Sequence, residues 1–145
     1  MTPPRYEMSA EEYRQAADGT LSEDTWQKSV EEALRHYGWT ILLRFHDRAM
    51  YSLWKLCGDN RALRQILQQL DGWPDVLASH PVHGQMWIEF KTNKGDVRAN
   101  QKAMITQIRS AGGTVFVLRP RHRDRVDDLL QGRHLDDRGR HLDDI

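Results

Sequence analysis

The sequence has a single cysteine, Cys57, among its 145 residues. One thiol cannot form an intramolecular disulfide, and without a Cys-x-x-Cys pair the chain lacks the usual ligands of a structural zinc site. No apolar run is long enough to cross a membrane, and Met1 to Arg5 lack the apolar core of a signal peptide. We therefore expect a reducing, cytoplasmic setting without membrane contact.

A net charge is also lacking, because 21 basic residues balance 21 acidic ones. The charges are unevenly distributed, however. Residues 91–125 contain nine basic and two acidic residues, a net charge of +7, whereas residues 1–35 carry a net charge of −4. Phosphate binding depends on the local field, so residues 91–125 are the predicted surface for a nucleic-acid backbone. The alternative interpretation is a solvated charged face.

Length and periodicity predict one α/β domain. Capping boxes that begin at Ser9 and Thr20 predict two N-terminal helices, and Asp96 is the predicted cap of a later one. Strands are expected over residues 40–46, 76–79, 85–91 and 114–118, and further helices over residues 61–70, 97–110 and 123–131. This order predicts a mixed central β-sheet flanked by helices.

Two carboxylates and one lysine carry the strongest chemical signal. Alternation over residues 85–91 predicts a strand on which Glu89 and Lys91 share one face. A short strand before it and a turn between the two predict a hairpin. Such a hairpin brings Asp75 beside Glu89.

Oxygen ligands without nearby sulfur favour Mg²⁺ or Mn²⁺ over zinc. A lysine beside such an ion orients or deprotonates a water molecule, or stabilises charge on a phosphate under attack. The predicted chemistry of Asp75, Glu89 and Lys91 is therefore phosphodiester hydrolysis. The alternative is a turn aspartate at position 75 and an exposed ion pair between Glu89 and Lys91.

Other side chains near this motif have simpler explanations. His80 and His83 belong to the predicted turn, which accounts for them without a metal. Trp73 is expected to pack in the core, with stacking on a base as the alternative. His46, at the end of the first predicted strand, is retained as a substrate contact, although a polar strand terminus explains it equally.

Pro74-Asp75 followed by Glu89-Phe90-Lys91 resembles the signature of the PD-(D/E)XK nuclease superfamily. The narrower resemblance is to the VRR-NUC family and covers about residues 20–130. It rests on further matching positions: Glu23, Gln27, Lys91-Thr92-Asn93-Lys94-Gly95 and Gln101.

The resemblance implies an α/β fold with a PD-(D/E)XK restriction-endonuclease-like core. It also implies that Asp75, Glu89 and the backbone carbonyl of Phe90 hold Mg²⁺ or Mn²⁺, with Glu23 as a further ligand or a water-mediated partner. Lys91 would position the attacking water. For Glu23, a capping-box role at the start of its helix is the alternative.

The same resemblance implies a DNA endonuclease without an organic cofactor. Stand-alone VRR-NUC proteins resemble Holliday-junction resolvases and are often carried by phages, which implies a homodimer that acts on branched DNA in a bacterial or phage-infected cell. The alternatives are a flap- or end-processing repair nuclease, a restriction-like nuclease, and a catalytically inert DNA-binding module. The predicted DNA contacts are Gln27, His46, Lys94, Arg98, Gln101, Lys102, Arg119 and Arg121. For Gln101, a contact with the neighbourhood of Lys91 and a plain helix-surface glutamine are the alternatives.

Four segments are expected. Residues 1–19 form a helical extension and residues 20–131 form the VRR-NUC nuclease domain. Within it, residues 48–71 are the least family-like and are interpreted as an insertion that shapes the substrate site or forms a dimer. Residues 132–145 contain a near-perfect duplication with one apolar residue per copy before the final Ile145, too few to bury, so a mobile tail is expected.

Overall fold

Strand pairing arranges the chain around one four-stranded sheet. The computed structural model describes residues 8–45 and 47–133, with the backbone alone for residues 47–49. The strands are β1 (Thr40–Arg44), β2 (Val76–His80), β3 (Gly84–Phe90) and β4 (Val115–Leu118). The helices are α1 (Ala10–Asp18), α2 (Glu23–His36), α3 (Asp47–Cys57), α4 (Arg61–Leu70), α5 (Ala99–Ser110) and α6 (Val126–Leu130), with a 3₁₀ helix over Pro120–Arg125.

The sheet is mixed, in the order β1-β2-β3-β4. β2 pairs antiparallel with both β1 and β3, whereas β3 pairs parallel with β4. A tight turn suffices to join β2 to β3, but a parallel pair requires a longer crossover, which α5 provides between β3 and β4. The predicted α/β class, with a mixed sheet flanked by helices, is confirmed.

Alternation along β3 divides its side chains between two helical layers. Met86, Ile88 and Phe90 are fully buried on one face. They join the core with the apolar stripe of α2: Trp26, Val30 and Leu34. Glu89 points to the other face, where a side chain of α5 covers it. The Glu89 carboxylate therefore lies between the sheet and α5.

Hydrogen bonds from two buried tryptophans fix the layer that contains α2. The indole Nε1 of Trp26 donates to the Leu118 carbonyl at 3.1 Å, and that of Trp39 donates to the Leu130 carbonyl at 2.9 Å. Leu118 pairs with Phe90 across the sheet. The start of α2 is thus held over the end of β3 that carries the motif.

Two predicted helix starts are wrong. The cap of α2 is Ser22 and not Thr20, because the Ser22 hydroxyl is the group that reaches a first-turn amide. α5 starts after Arg98 and is not capped by Asp96, because the side chain of Gln101 accepts the backbone N–H of Arg98. In both cases, the side chain that accepts a free backbone amide comes from a residue nearer to the helix than the predicted cap.

The edge strand β1 contains an irregularity. Its register with β2 shifts between Ile41 and Leu43, which is the mark of a β-bulge. Leu42 and Leu43 are both about half exposed. An edge strand with exposed apolar side chains offers a surface to a second chain.

Residues 47–70 form two helices that we call the α3–α4 hairpin. The helix predicted over residues 61–70 is confirmed, and α3 was not predicted. The Asn60 side chain caps α4 by accepting the Leu63 amide at 3.1 Å. Cys57 and Leu67 are buried between the helices, but Leu56 is 82% exposed. The hairpin therefore buries few of its apolar side chains.

Within the described residues, no helix is long and apolar enough to cross a membrane. The helix predicted over residues 123–131 is divided into the end of the 3₁₀ helix and α6. His46 and the duplicated tail from residue 134 onward lie outside the described residues.

Candidate active site

Asp75 is held against the end of β3. It directly precedes β2, and its backbone carbonyl accepts the Phe45 amide at 2.7 Å. Its carboxylate Oδ2 accepts the Phe90 amide at 2.8 Å. This bond places the Asp75 side chain one residue from Glu89 along β3. The β2–β3 hairpin thus brings the two carboxylates together as its register requires.

Glu89 and Lys91 form an ion pair on one face of β3. The Nζ atom of Lys91 lies 3.1 Å from Oε1 of Glu89, and the side chains are only 12% and 2% exposed, respectively. A carboxylate so deeply buried is costly unless it is paired and hydrogen-bonded. The lysine, which directly follows β3, supplies a compensating charge two residues beyond Glu89.

Gln101 fixes the orientation of Glu89. Its Nε2 donates to Oε1 of Glu89 at 2.6 Å, and its own Oε1 accepts the backbone N–H of Arg98 at 3.0 Å. These two bonds define which end of the amide faces the carboxylate. Gln101 is 5% exposed, so this predicted DNA contact lies inside the site.

Gly72 allows the segment before Asp75 to approach α5. It has a φ of +89°, in the left-handed region, and a Cβ at this position would lie 2.8 Å from the Asn100 carbonyl. Only glycine fits both constraints. The close approach brings Asp75 and Gln101 to the same side of the sheet.

The donor set suits a hard divalent cation. In a strand, the N–H and C=O of one residue point to the same side, so the Phe90 carbonyl faces the side on which its amide meets Asp75. The carboxylates of Asp75 and Glu89 and this carbonyl are all oxygen donors. Mg²⁺ is commonly held by only one or two carboxylates, with water completing its shell.

Glu23 lies apart from that pair, half-buried at the first position of α2. Among the described side chains, those of residues 8–45 and 50–133, no three from His, Cys, Asp or Glu form a group that could hold a metal ion. The charge of Glu23 acts on Arg119 instead. Burial lowers the pKa of the Arg119 guanidinium and the nearby Arg121 lowers it further, while Asp96 and Glu23 oppose both effects.

Arg119 stabilises the loop that follows Lys91 by hydrogen bonds to its backbone. Its NH1 group donates to the carbonyls of Thr92 at 2.6 Å and Gly95 at 2.5 Å. The loop begins directly after Lys91, whose amide is itself bonded to the Leu118 carbonyl at 3.1 Å. The structure therefore places Arg119 where it supports Lys91, which sequence reasoning missed.

Four of the predicted phosphate contacts are exposed: Lys94, Arg98, Lys102 and Arg121. Gln27 is not among them, because it is buried and donates to Oε1 of Glu31 at 3.1 Å. Glu31 also pairs with Arg44. This interior network on α2 was not predicted, and a DNA contact by Gln27 or Gln101 stays a prediction.

His80, at the β2–β3 turn, bonds to the backbone. Its Nδ1 accepts the amides of Val82 and His83 at 3.0 and 3.3 Å, and its Nε2 lies 3.1 Å from the Tyr37 carbonyl. Nδ1 therefore stabilises the turn, and Nε2 links His80 to the end of α2.

Of three comparisons with known proteins, one identifies a family. No curated protein and no solved structure matches the chain significantly. The family model described as the VRR-NUC domain matches residues 22–122, a range that includes both carboxylates, Lys91 and Gln101. A VRR-NUC domain is a PD-(D/E)XK-like nuclease domain, which implies DNA as its substrate. Because the match covers most of its length, the chain belongs to the VRR-NUC family of nucleases.

Proposed function

We propose that the protein is a divalent-metal-dependent endonuclease that hydrolyses phosphodiester bonds in DNA. The observation that carries this proposal is the buried pair of Glu89 and Lys91, held by Gln101 next to Asp75. Two carboxylates and a lysine that lie close together within the VRR-NUC domain have the composition that phosphate hydrolysis requires.

Mg²⁺ or Mn²⁺ is the cofactor that the donor set favours. Asp75, Glu89 and the Phe90 carbonyl would hold it, and Glu23 would act through water from the start of α2. When bound, such an ion lowers the pKa of water and neutralises charge on a phosphate.

Lys91 orients the nucleophile in this proposal. An ammonium has three N–H donors, and one faces Oε1 of Glu89. The other two serve an attacking water or a non-bridging oxygen of the phosphate. Gln101 keeps Glu89 in place during this step through the bond between their side chains.

The exposed basic residues hold the DNA backbone. Lys94 lies in the loop after β3, and Arg98 and Lys102 lie at the start of α5. Contacts to phosphates position DNA without reading its sequence. We therefore propose that the enzyme selects DNA by its structure, with branched DNA such as a four-way junction as the preferred substrate.

Two copies of the chain would present two sites to such a junction. The exposed Leu42 and Leu43 on the edge strand β1 support this homodimer, because an apolar edge strand favours pairing with a second chain. The proposed dimer also draws on the resemblance to stand-alone family members. Sedimentation of the protein at several concentrations tests it independently of cleavage.

A substrate panel tests the proposed function. Linear duplex, single-stranded, flap and four-way-junction DNAs are incubated with the protein in Mg²⁺, Mn²⁺ or EDTA. We expect metal-dependent cleavage that is fastest on the junction. Preference for flaps or ends would instead indicate a repair nuclease, sequence-specific cleavage of linear duplex a restriction-like enzyme, and binding without cleavage in any metal an inert module.

A further inference from the structure

A cavity of about 320 Å³ opens beside the carboxylates. It lies between the α3–α4 hairpin, the segment that leads to β2, and the start of α5. Its lining residues are Phe45, Met50, Tyr51, Trp54, Leu70, Asp71, Gly72, Trp73, Asp75, Arg98 and Gln101. Since Asp75 and Gln101 belong to the site already described, a molecule in this cavity would lie next to the reacting phosphate.

Aromatic rings form much of the cavity wall. Tyr51 and Trp54 come from α3; Tyr51 is 63% exposed, and the Nζ atom of Lys55 lies 4.7 Å from its ring centroid. Trp73 is fixed in orientation, because its Nε1 donates to the Gln69 carbonyl at 2.8 Å and its ring lies 5.0 Å from that of Trp87. Fixed and exposed rings at a cavity are suited to stack on a planar ligand.

The opposite side of the cavity is charged. Arg98 lies on the wall near Gln101, and its guanidinium is 3.8 Å from the Asp71 carboxylate. Both side chains are about half exposed, so this pair is weak and the guanidinium is accessible to a phosphate. The cavity lining thus combines aromatic rings with one arginine and the carboxylates of Asp71 and Asp75, and exposed Lys102 lies near it on the first turn of α5.

We propose that this cavity binds the base of an unpaired nucleotide adjacent to the phosphate that is cleaved. The volume is at the lower end of the about 300–1,000 Å³ typical of small-molecule sites, which suits a single base. Stacking on aromatic rings accepts every base, while the arginine meets the neighbouring phosphate. The position of this base next to a cleaved phosphate rests on the proposed function.

An unpaired base explains why the cavity belongs to a nuclease that acts on branched DNA. Removing a base from a continuous duplex costs unpairing and unstacking energy, whereas nucleotides at a branch or in a single strand are already partly free. The α3–α4 hairpin, which supplies Tyr51 and Trp54, would therefore contribute to selection of DNA structure.

Binding in EDTA tests the cavity without cleavage. Oligodeoxythymidylate is compared with an abasic strand of equal length and charge. We expect wild-type protein to bind the strand with bases about five- to a hundredfold more tightly. In a Tyr51→Ala/Trp54→Ala variant that advantage should disappear, while affinity for the abasic strand is unchanged. Leu56→Ala, on the exposed side of the same helix, should keep the full advantage.

Tyr51→Ala alone and Trp54→Phe keep the test informative if the double variant unfolds, as judged by circular dichroism. The former should lose part of the advantage and the latter should retain most of it. Equal binding of both strands by wild-type protein, no detectable binding of either, or an advantage that survives in the double variant would overturn the proposal. Wild-type protein that prefers bases but cleaves no DNA would instead overturn the proposed function alone.

Discussion

The site formed by Asp75, Glu89 and Lys91 and the α3–α4 hairpin differ in how their side chains are held, although both regions contribute to one cavity. Asp75, Glu89 and Lys91 are positioned by strand pairing and side-chain hydrogen bonds, and Glu89 is almost fully buried. The hairpin packs mainly on itself and exposes apolar side chains such as Leu56 and Ile66. In the proposed function, the sheet holds the chemical groups and the hairpin contacts the substrate.

Loss of either carboxylate should have the largest effect. Asp75→Ala or Glu89→Ala should reduce cleavage to background, because each removes a proposed metal ligand. DNA affinity should stay within about a few-fold, since phosphate contacts come from exposed basic residues. Gel-shift and cleavage assays on the same junction measure both quantities. Folded variants that lose binding as completely as cleavage would show that the carboxylates have another role.

Lys91 should have the next largest effect. Lys91→Ala should slow single-turnover cleavage by about two to four orders of magnitude, as expected for loss of a positioned proton-transfer or electrostatic group. Lys91→Arg should not restore the rate fully, because a planar guanidinium cannot replace a compact ammonium. Lys28→Ala, an exposed lysine on α2, is the matched control and should cleave at the wild-type rate.

Substitution of Gln101 should have a smaller effect on cleavage, because its side chain contacts Glu89 and acts through that carboxylate. Gln101→Ala should lower the cleavage rate by about ten- to a hundredfold, the range for loss of an outer partner of a metal ligand. Raising the Mn²⁺ concentration should recover part of that loss. Gln107→Ala, an exposed glutamine on the same helix, should change neither the rate nor the metal dependence.

Substitutions in the hairpin should affect stability more than chemistry. Leu67→Ala removes a buried side chain and should destabilise the protein by about 2–5 kcal/mol, whereas exposed Leu56→Ala should change stability by about 0.5 kcal/mol or less. Urea unfolding measures both. Equal losses for the two variants would mean that the exposed face of the hairpin is covered in solution.

The sequence could predict the contacts that depend on neighbouring residues, but not those that depend on how distant elements pack. Glu89 lies on β3 and Lys91 directly follows the strand, so alternation alone places the two side chains on one side, and a short hairpin adds Asp75. The bond from Gln101 to Glu89 depends on how α5 docks on the sheet. No local pattern in the sequence determines how α5 packs on the sheet. For Gln101, the sequence therefore predicts only a phosphate contact, a contact near Lys91 or a position on the helix surface.

Other features depended on long-range packing in the same way. The predicted start of α2 was wrong because the Thr20 hydroxyl donates to the Asp18 carboxylate, while the Ser22 hydroxyl accepts the Thr25 amide. The bulge in β1 follows from pairing with β2 and leaves Leu43 half exposed. Arg119 appeared to be one more cation of a basic segment, yet its guanidinium bonds to backbone carbonyls of the loop after Lys91.

Metal dependence of single-turnover junction cleavage tests the central claim most directly. Rates are measured against Mn²⁺ concentration for wild-type protein, Asp75→Asn and Asp59→Asn, the last an exposed carboxylate of the hairpin. We predict no cleavage in EDTA and saturation with Mn²⁺ for the wild type. The same curve is expected for Asp59→Asn, with a lower plateau reached at higher metal concentration for Asp75→Asn. Cleavage in EDTA, or an Asp75→Asn curve that matches the wild type, would contradict the assignment of Asp75 as a metal ligand.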